Sequence, residues 1–338
     1  MRAIVHSQTG PASVLRLEDR PIPEPDAGEV RVRIAVSGVN PTDWKSRSGT
    51  TSELAFPEVT PNQDGAGVVD AVGPGVPDLA VGDRVWTYMS AAQRPTGTAQ
   101  EYTVLPAERV VVLPEGTSFD VGASLGVPAM TAHRALTIDE DGPDRLAPGT
   151  LAGRTVLVAG GAGAVGHAAI QLARWAGATV ISTISGPEKA ALATAAGAHH
   201  TVNYREGGAA DRIREIAPDG VHTIVEVALG ANVDLDLAVL ATRGTIAAYA
   251  DDGGPSVTIP LRPSMGLNAR FQFVLLYTIG ATALGAAAED ITLALRDGAL
   301  PVGEEHGLPV HRYPLAETAA AHTAVQDGAL GKVLIDVG

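Results

Sequence analysis

The sequence predicts an α/β protein in two parts. The first is β-rich and barrel-like, and the second carries helices on both faces of a parallel sheet. Three observations lead there. Residues 155–166 run from a strand-forming stretch into a turn with glycines at 160, 161, 163 and 166, and a helical pattern follows to Ala176. The punctuation also changes along the chain, from short Gly- and Pro-bounded strand patterns before about residue 123 to alternating strand and helix patterns after Ala129. Finally, 338 residues at 45% apolar content are enough for two buried cores.

In the first part, residues 29–36 alternate charged and apolar side chains (Glu29, Val30, Arg31, Val32, Arg33, Ile34), the period-two signature of a half-buried strand. Residues 65–75 and 81–86 continue the strand pattern. In the second part, strands are expected at 155–159, 179–183, 199–203, 223–227 and 245–250, with helices between them such as 187–196. Such alternation builds βαβ units. Further on, 271–279 reads as a strand, 290–297 as a helix and 332–337 as a final strand. The expected division is 1–123 with 280–338 for the first domain and 124–279 for the second.

Composition excludes several classes of function. A formal charge of −14 with no basic stripe speaks against a nucleic-acid or anionic-membrane partner. Residues 271–288 carry no charge, but the polar and glycine residues within them (Gln272, Thr278, Gly280, Thr282, Gly285) favour buried core over a membrane span. The first residues lack a signal-peptide core, and the chain contains no cysteine, so disulfides, thiol nucleophiles and thiolate zinc sites are excluded and a cytoplasmic location is expected. The nine histidines show no ligand spacing.

Gly161, Gly163 and Gly166 have the G-x-G-x-x-G spacing of a dinucleotide site, here between a strand and a helix. The first glycine permits the tight turn, the second lets the backbone approach a pyrophosphate, and the third allows close helix packing. Gly161, Gly163, Ala164, Val165 and Gly166 are therefore the expected phosphate contacts, at a helix N-terminus whose free N–H groups favour anions. NAD sites normally place an acidic residue at the tip of the second strand. Here the strand 179–183 runs into Ser185, with Lys189 one turn further on, and a hydroxyl with a cation suits a 2′-phosphate. NADPH is the expected cofactor. The alternative is that Lys189 is a solvated residue paired with Glu188.

These motifs resemble one family, the zinc-independent, zeta-crystallin-like quinone oxidoreductases of the medium-chain dehydrogenases/reductases. The resemblance spans nearly the whole chain. It rests on residues 37–45 (Ser37, Gly38, Val39, Asn40, Pro41, Thr42, Asp43, Trp44, Lys45), 64–69, 81–85, Thr131 to His133 and the glycine turn with Gln171. Residues 187–190, Asn203 to Arg205 and Gly331 to Leu334 complete it. It implies a GroES-like domain with a Rossmann domain, and it implies that Ser185, Lys189 and Tyr204 surround the 2′-phosphate. A family arginine near the C-terminus is missing, since Asp327, Gly328 and Ala329 stand there. Lys332 either substitutes for it or faces solvent. Where zinc-containing relatives hold their metal, this chain has Asn40, Gln63 and approximately Val127.

With no thiolate–imidazole set for a Lewis acid, the expected reaction is hydride transfer from NADPH to an already electrophilic quinone or enone. Asn40 is the candidate group beside the nicotinamide or the acceptor oxygen, and Thr131 the candidate seat for the nicotinamide ribose or carboxamide. Tyr249, closing the strand 245–250, is expected near the nicotinamide. Asp43 and Asp64 are read as either cleft-lining or structural, through turn capping and internal hydrogen bonds. The tyrosine that many relatives carry after the Arg-Ser-Gly stretch is absent from 50–56, so no proton donor is identified. Quinone reduction is favoured over C=C reduction, because a quinone takes its proton from solvent more readily. A non-catalytic NADPH-binding role is the third reading. The loops 50–61 and 90–97 are expected to shape the acceptor pocket. The aromatic strand beginning at Phe271 is expected at a sheet edge that joins a homodimer.

Overall fold

The computed structural model describes residues 1–51 and 53–338, so Ser52, in the loop expected to shape the acceptor pocket, lies outside the described residues. The chain forms two compact units, Met1–Val127 with Pro309–Gly338, and Pro128–Leu308.

The first unit opens with β1 (Arg2–Val5) and β2 (Arg16–Asp19), an antiparallel pair. It continues with β3 (Glu29–Val39), α1 (Pro41–Ser48), β4 (Asp64–Val72), β5 (Arg84–Thr87), β6 (Tyr102–Pro106), β7 (Val110–Val112) and the start of α2 (Phe119–Leu136). As its alternation predicts, β3 buries Val30, Val32 and Ile34 and turns Arg31 and Arg33 outward. Each buried aliphatic side chain contributes about 1.5–3 kcal/mol. Arg31 Nε donates to Asp70 Oδ2 on β4 at 2.7 Å, tying the outer face. The β3–β4 register shifts twice, between Arg31 and Val32 and between Ile34 and Val36. Such irregularities bend a sheet towards closure.

In the second unit the order is β8 (Thr155–Ala159), α3 (Ala164–Trp175), β9 (Thr179–Ile184), α4 (Pro187–Ala195), β10 (His200–Asn203), α5 (Ala209–Ile216) and β11 (Val221–Glu226). Then come α6 (Leu229–Val239), β12 (Leu240–Ala248), α7 (Leu261–Leu267), β13 (Arg270–Phe273) and α8 (Ala281–Arg296). The six strands pair in parallel in the order β10-β9-β8-β11-β12-β13. Helices cover both faces, which is why β8 is apolar after Thr155, with Val156, Leu157 and Val158 all buried. The strand order reverses between β8 and β11, the switch point where open α/β sheets bind ligands. After α8 the chain enters the first unit with β14 (Val310–Pro314), α9 (Thr318–Gln326) and β15 (Lys332–Asp336). There β15 pairs with β3, giving the sheet order β14-β15-β3-β4-β5-β7, with β6 also on β3.

Two expectations change. The strand expected over 271–279 is only β13; a helical turn at Leu276–Thr278 follows, closed by Thr278 Oγ1 donating to the Leu275 carbonyl at 3.1 Å. The return to the first unit comes at Pro309, not residue 280. The reason is α8: Asp290 is buried and accepts from His133 Nε2 (2.8 Å), Leu146 N (2.7 Å) and Arg145, all residues of the second unit. Among the described residues no helix is long and apolar enough to cross a membrane.

Candidate dinucleotide site and polar centre

The glycine turn of the second unit is built as a cradle, with one change from the expected roles. The left-handed residue is Gly160 (φ 70°), not Gly161. Gly160 N donates to the Thr183 carbonyl at the end of β9 (3.2 Å), and its carbonyl accepts from Gly163 N (3.0 Å). Gly161 is needed for packing: a Cβ there would fall 2.2 Å from Ser182 Oγ and 2.7 Å from Ile170 Cδ1. Gly166 keeps its expected role, since a Cβ would meet the Gly160 carbonyl at 2.4 Å. Gly163 is different. Its φ is −86°, it is exposed, and the nearest atom to a Cβ would be the Gly160 carbonyl at 3.5 Å. Nothing within the chain demands glycine at this position, so what its missing side chain leaves open is approach from outside. The α3 ladder starts with His167 N donating to Gly163 O (2.8 Å), and the N–H groups of Ala164, Val165 and Gly166 stand outside it.

The register of β9 with β10 pairs Ile184 with Asn203, so Ser185 and Tyr204 leave adjacent strand tips side by side. Lys189 lies in the first turn of α4. Ser185 and Lys189 are half-buried and Tyr204 is 47% exposed. Among the described residues neither Ser185 nor Lys189 makes a hydrogen bond or ion pair within the chain, and the Lys189–Glu188 pairing does not form. Tyr249 stands just past β12, which ends at Ala248, and its N–H donates to the Glu226 carbonyl at the end of β11 (3.0 Å). Burial, then the nearby Glu226 and Asp252, raise its phenol above the ordinary value. Thr131 is buried in α2, three residues after the helix-interior Pro128, and its hydroxyl has no partner among the described residues.

The first unit holds a polar centre that the sequence only hinted at. Asn40 is 2% exposed and its amide is used at both ends: Nδ2 donates to Asp64 Oδ2 and Oδ1 accepts from Lys332 Nζ, each at 2.7 Å. Lys332 Nζ also lies 3.7 Å from Asp64 Oδ2. Asp43 caps α1, accepting from Asn40 N (2.7 Å) and Gln63 N (3.1 Å). Asp64 Oδ1 accepts from Val127 N in α2 at 2.9 Å. Burial, then the neighbouring Asp64, push Asp43 up to about 8; burial also raises Asp64 and lowers Lys332. The structural reading of Asp43 and Asp64 is thus the one the geometry matches.

Lys332 corrects the expectation. At 1% exposure, and engaged with Asn40 and Asp64, it neither faces solvent nor offers its ammonium to a phosphate. Gly38 makes room beside it: a Cβ there would sit 2.1 Å from the Ala123 carbonyl and 3.1 Å from Lys332 Cε. The same centre does not fit zinc. It lacks thiolate or imidazole donors and has an amine inside it, and no group of three metal-binding side chains occurs among the described residues.

Residues 26–115 match the family described as alcohol dehydrogenase GroES-like domain, and residues 164–290 match zinc-binding dehydrogenase. The quinone oxidoreductase of Homo sapiens is 32% identical, over 99% of this chain and 97% of that one. The 2-haloacrylate reductase of Burkholderia sp is 31% identical over 95% of this chain and 94% of its own. A mycobacterial protein solved in complex with NADPH superposes with a TM-score of 0.82 at 30% identity, covering 99% of both chains.

Proposed function

The chain belongs to the quinone-oxidoreductase-like medium-chain dehydrogenases/reductases, and on that premise we propose that it reduces a quinone with NADPH, without metal. NADPH-dependent oxidoreduction is the general activity, and the observation that carries it is the open corner of the second unit. A glycine turn exposed at Gly160 and Gly163 leads to a half-buried hydroxyl and a half-buried lysine, both without partners among the described residues, where an NAD site would present a carboxylate.

When bound, NADPH supplies the hydride. The chain's own work is placement. The N–H groups of Ala164, Val165 and Gly166 would receive the pyrophosphate, Gly163 would let it come close, and Ser185, Lys189 and Tyr204 would hold the 2′-phosphate. The free hydroxyl of Thr131 is offered to the nicotinamide end. Asn40 keeps one N–H beyond its bond to Asp64, and that hydrogen is what it has for an acceptor oxygen. No acidic side chain is assigned to protonate a carbon, which favours a quinone, whose oxygens take protons from water.

The second reading is reduction of an activated C=C bond. It is supported by the 31% identity to 2-haloacrylate reductase. NADPH oxidation by the purified protein against matched quinones and enones, with NADH as control and products identified, separates the two. Quinone turnover with NADPH and little with NADH supports the first reading; turnover confined to enones replaces it with the second.

Homodimer formation through the free edge of β13 is part of the proposal. Phe273 (63% exposed) and Leu275 (57%) lie along it, with Leu261 and Met265 of α7 also exposed. Light scattering of a Phe273→Asp variant is expected to show monomers.

A further inference from the structure

Glu226 and Asp236 are completely buried carboxyl groups that the proposed reaction does not use. Glu226 ends β11 at the switch point, and Asp236 faces it from α6. Glu226 Oε1 accepts from Ala228 N and from Asn232 Nδ2 (3.0 Å), which holds the β11–α6 loop against the strand tip. Among the described residues no hydrogen-bond donor is paired with Glu226 Oε2 or Asp236 Oδ2, the Val227 backbone joins Ala228 and Asn232 in favouring the Glu226 carboxylate, and the two carboxyl groups interact with each other. Two interacting buried carboxylates repel, and the orphaned oxygen of each loses hydration without return. One proton between the orphaned oxygens removes both penalties.

The loop so held supports the cradle. Val227 Cγ1 lies 3.4 Å from where a Cβ on Gly160 would be, the Glu226 carbonyl accepts from Tyr249 N, and the Val227 carbonyl accepts from Asp252 N (3.3 Å). Other charged and titratable groups around the pair are few. Tyr249 and Asp252 stand on the Glu226 side. On α5, Arg214 is committed to the carbonyls of Ala238, Pro218 and Leu240, while Asp211 and Glu215 are exposed. Asp234 on α6 is exposed, and on β11 His222 accepts from Thr155 N at the strand's opposite end.

We propose that Glu226 and Asp236 share one proton, and that this proton makes them a positioning pair that keeps the β11–α6 loop in the shape the dinucleotide cradle requires. The positioning half rests on reading the second unit as the NADPH site; the shared proton does not. Asp236 is pushed up to about 9, mainly by burial and then by Glu226, so the proton is present at neutral pH and is lost above that value. Without it the carboxylates separate and the loop shifts.

The test has two readouts. The infrared difference spectrum between the NADPH-free native chain and Asp236→Asn at neutral pH is expected to show the carbonyl stretch of a buried protonated carboxyl, the contribution of Asp43 cancelling between the two. The NADPH Kd of the native chain is expected to rise about fourfold by about half a unit above the midpoint, as the competent fraction falls. It should stay flat in Asp236→Asn and Glu226→Gln, whose amides donate permanently. Absence of that difference band overturns the shared proton. Parallel Kd profiles in all three proteins overturn the positioning role, even with the band present. A native chain that does not bind NADPH at any pH overturns the cofactor reading, and the band still decides the proton.

Discussion

The two polar regions of this molecule are opposites. In the first unit, Asn40, Asp43, Asp64 and Lys332 are buried and bonded to one another and to the backbone. In the second, Ser185, Lys189 and Gly163 leave hydroxyl, amine and backbone open. Both regions come from motifs that read alike in sequence, as small and polar residues at strand ends. The difference is whether the atoms still have something left to bind. A closed network holds the fold and presents little; an open corner contributes little to the fold and is free for a ligand.

That contrast can be broken most forcefully at Lys332. Lys332→Met leaves Asp64 and Asp43 buried without their cation, and breaking such a set is expected to destabilise by about 3–5 kcal/mol. Urea unfolding measures it; a loss under about 1 kcal/mol would mean that the centre is not closed after all.

Both units share a weakness to acid. Burial lowers His167 to about 4 and His322 to about 3, from an ordinary 6.5. Their folded values lie below the unfolded one, so under pH 6.5 the unfolded chain binds protons that the folded chain refuses. Stability is expected to fall as pH drops from 6.5 towards 4, by about 2–3 kcal/mol per histidine, and His167→Gln should reduce the slope. Unfolding curves at a series of pH values check both.

Lys189→Ala tests the open side. It is expected to raise the NADPH Kd about tenfold, to leave NADH binding unchanged and to alter the unfolding midpoint hardly at all. Equal effects on the two cofactors would remove Lys189 from the 2′-phosphate. The finest test is Gly163→Ala, whose Cβ meets no atom closer than 3.5 Å. Unchanged stability with weakened NADPH binding is expected; unchanged binding would show that the pyrophosphate does not approach there.

The second unit was the more legible one. Its strands are apolar because both faces are covered, and apolar runs between helical patterns survive inspection of sequence alone. The glycine spacing showed where the cradle is but not which glycine turns left-handed, because Gly160 precedes the motif and Gly161 is fixed by contact with Ser182. The strand at 271–279 reads longer than β13 because apolar residues continue past Phe273 while the backbone already turns. Lys332 is hidden from the sequence for a different reason. Its partners lie some 270–290 positions away in the chain, and only the pairing of β15 with β3 brings them together. Pairing across such separations leaves no local pattern.

The bond from Val127 N to Asp64 Oδ1 is also informative about motion. A helical amide normally exchanges its hydrogen when its own turn opens, but this one is shielded by a side chain rooted in β4. Pro128 follows with no amide at all. The exchange rate at Val127 is therefore a local clock for the polar centre. It should run with the opening of Asp64 and its partners, and it should quicken in Lys332→Met before the rest of α2 does.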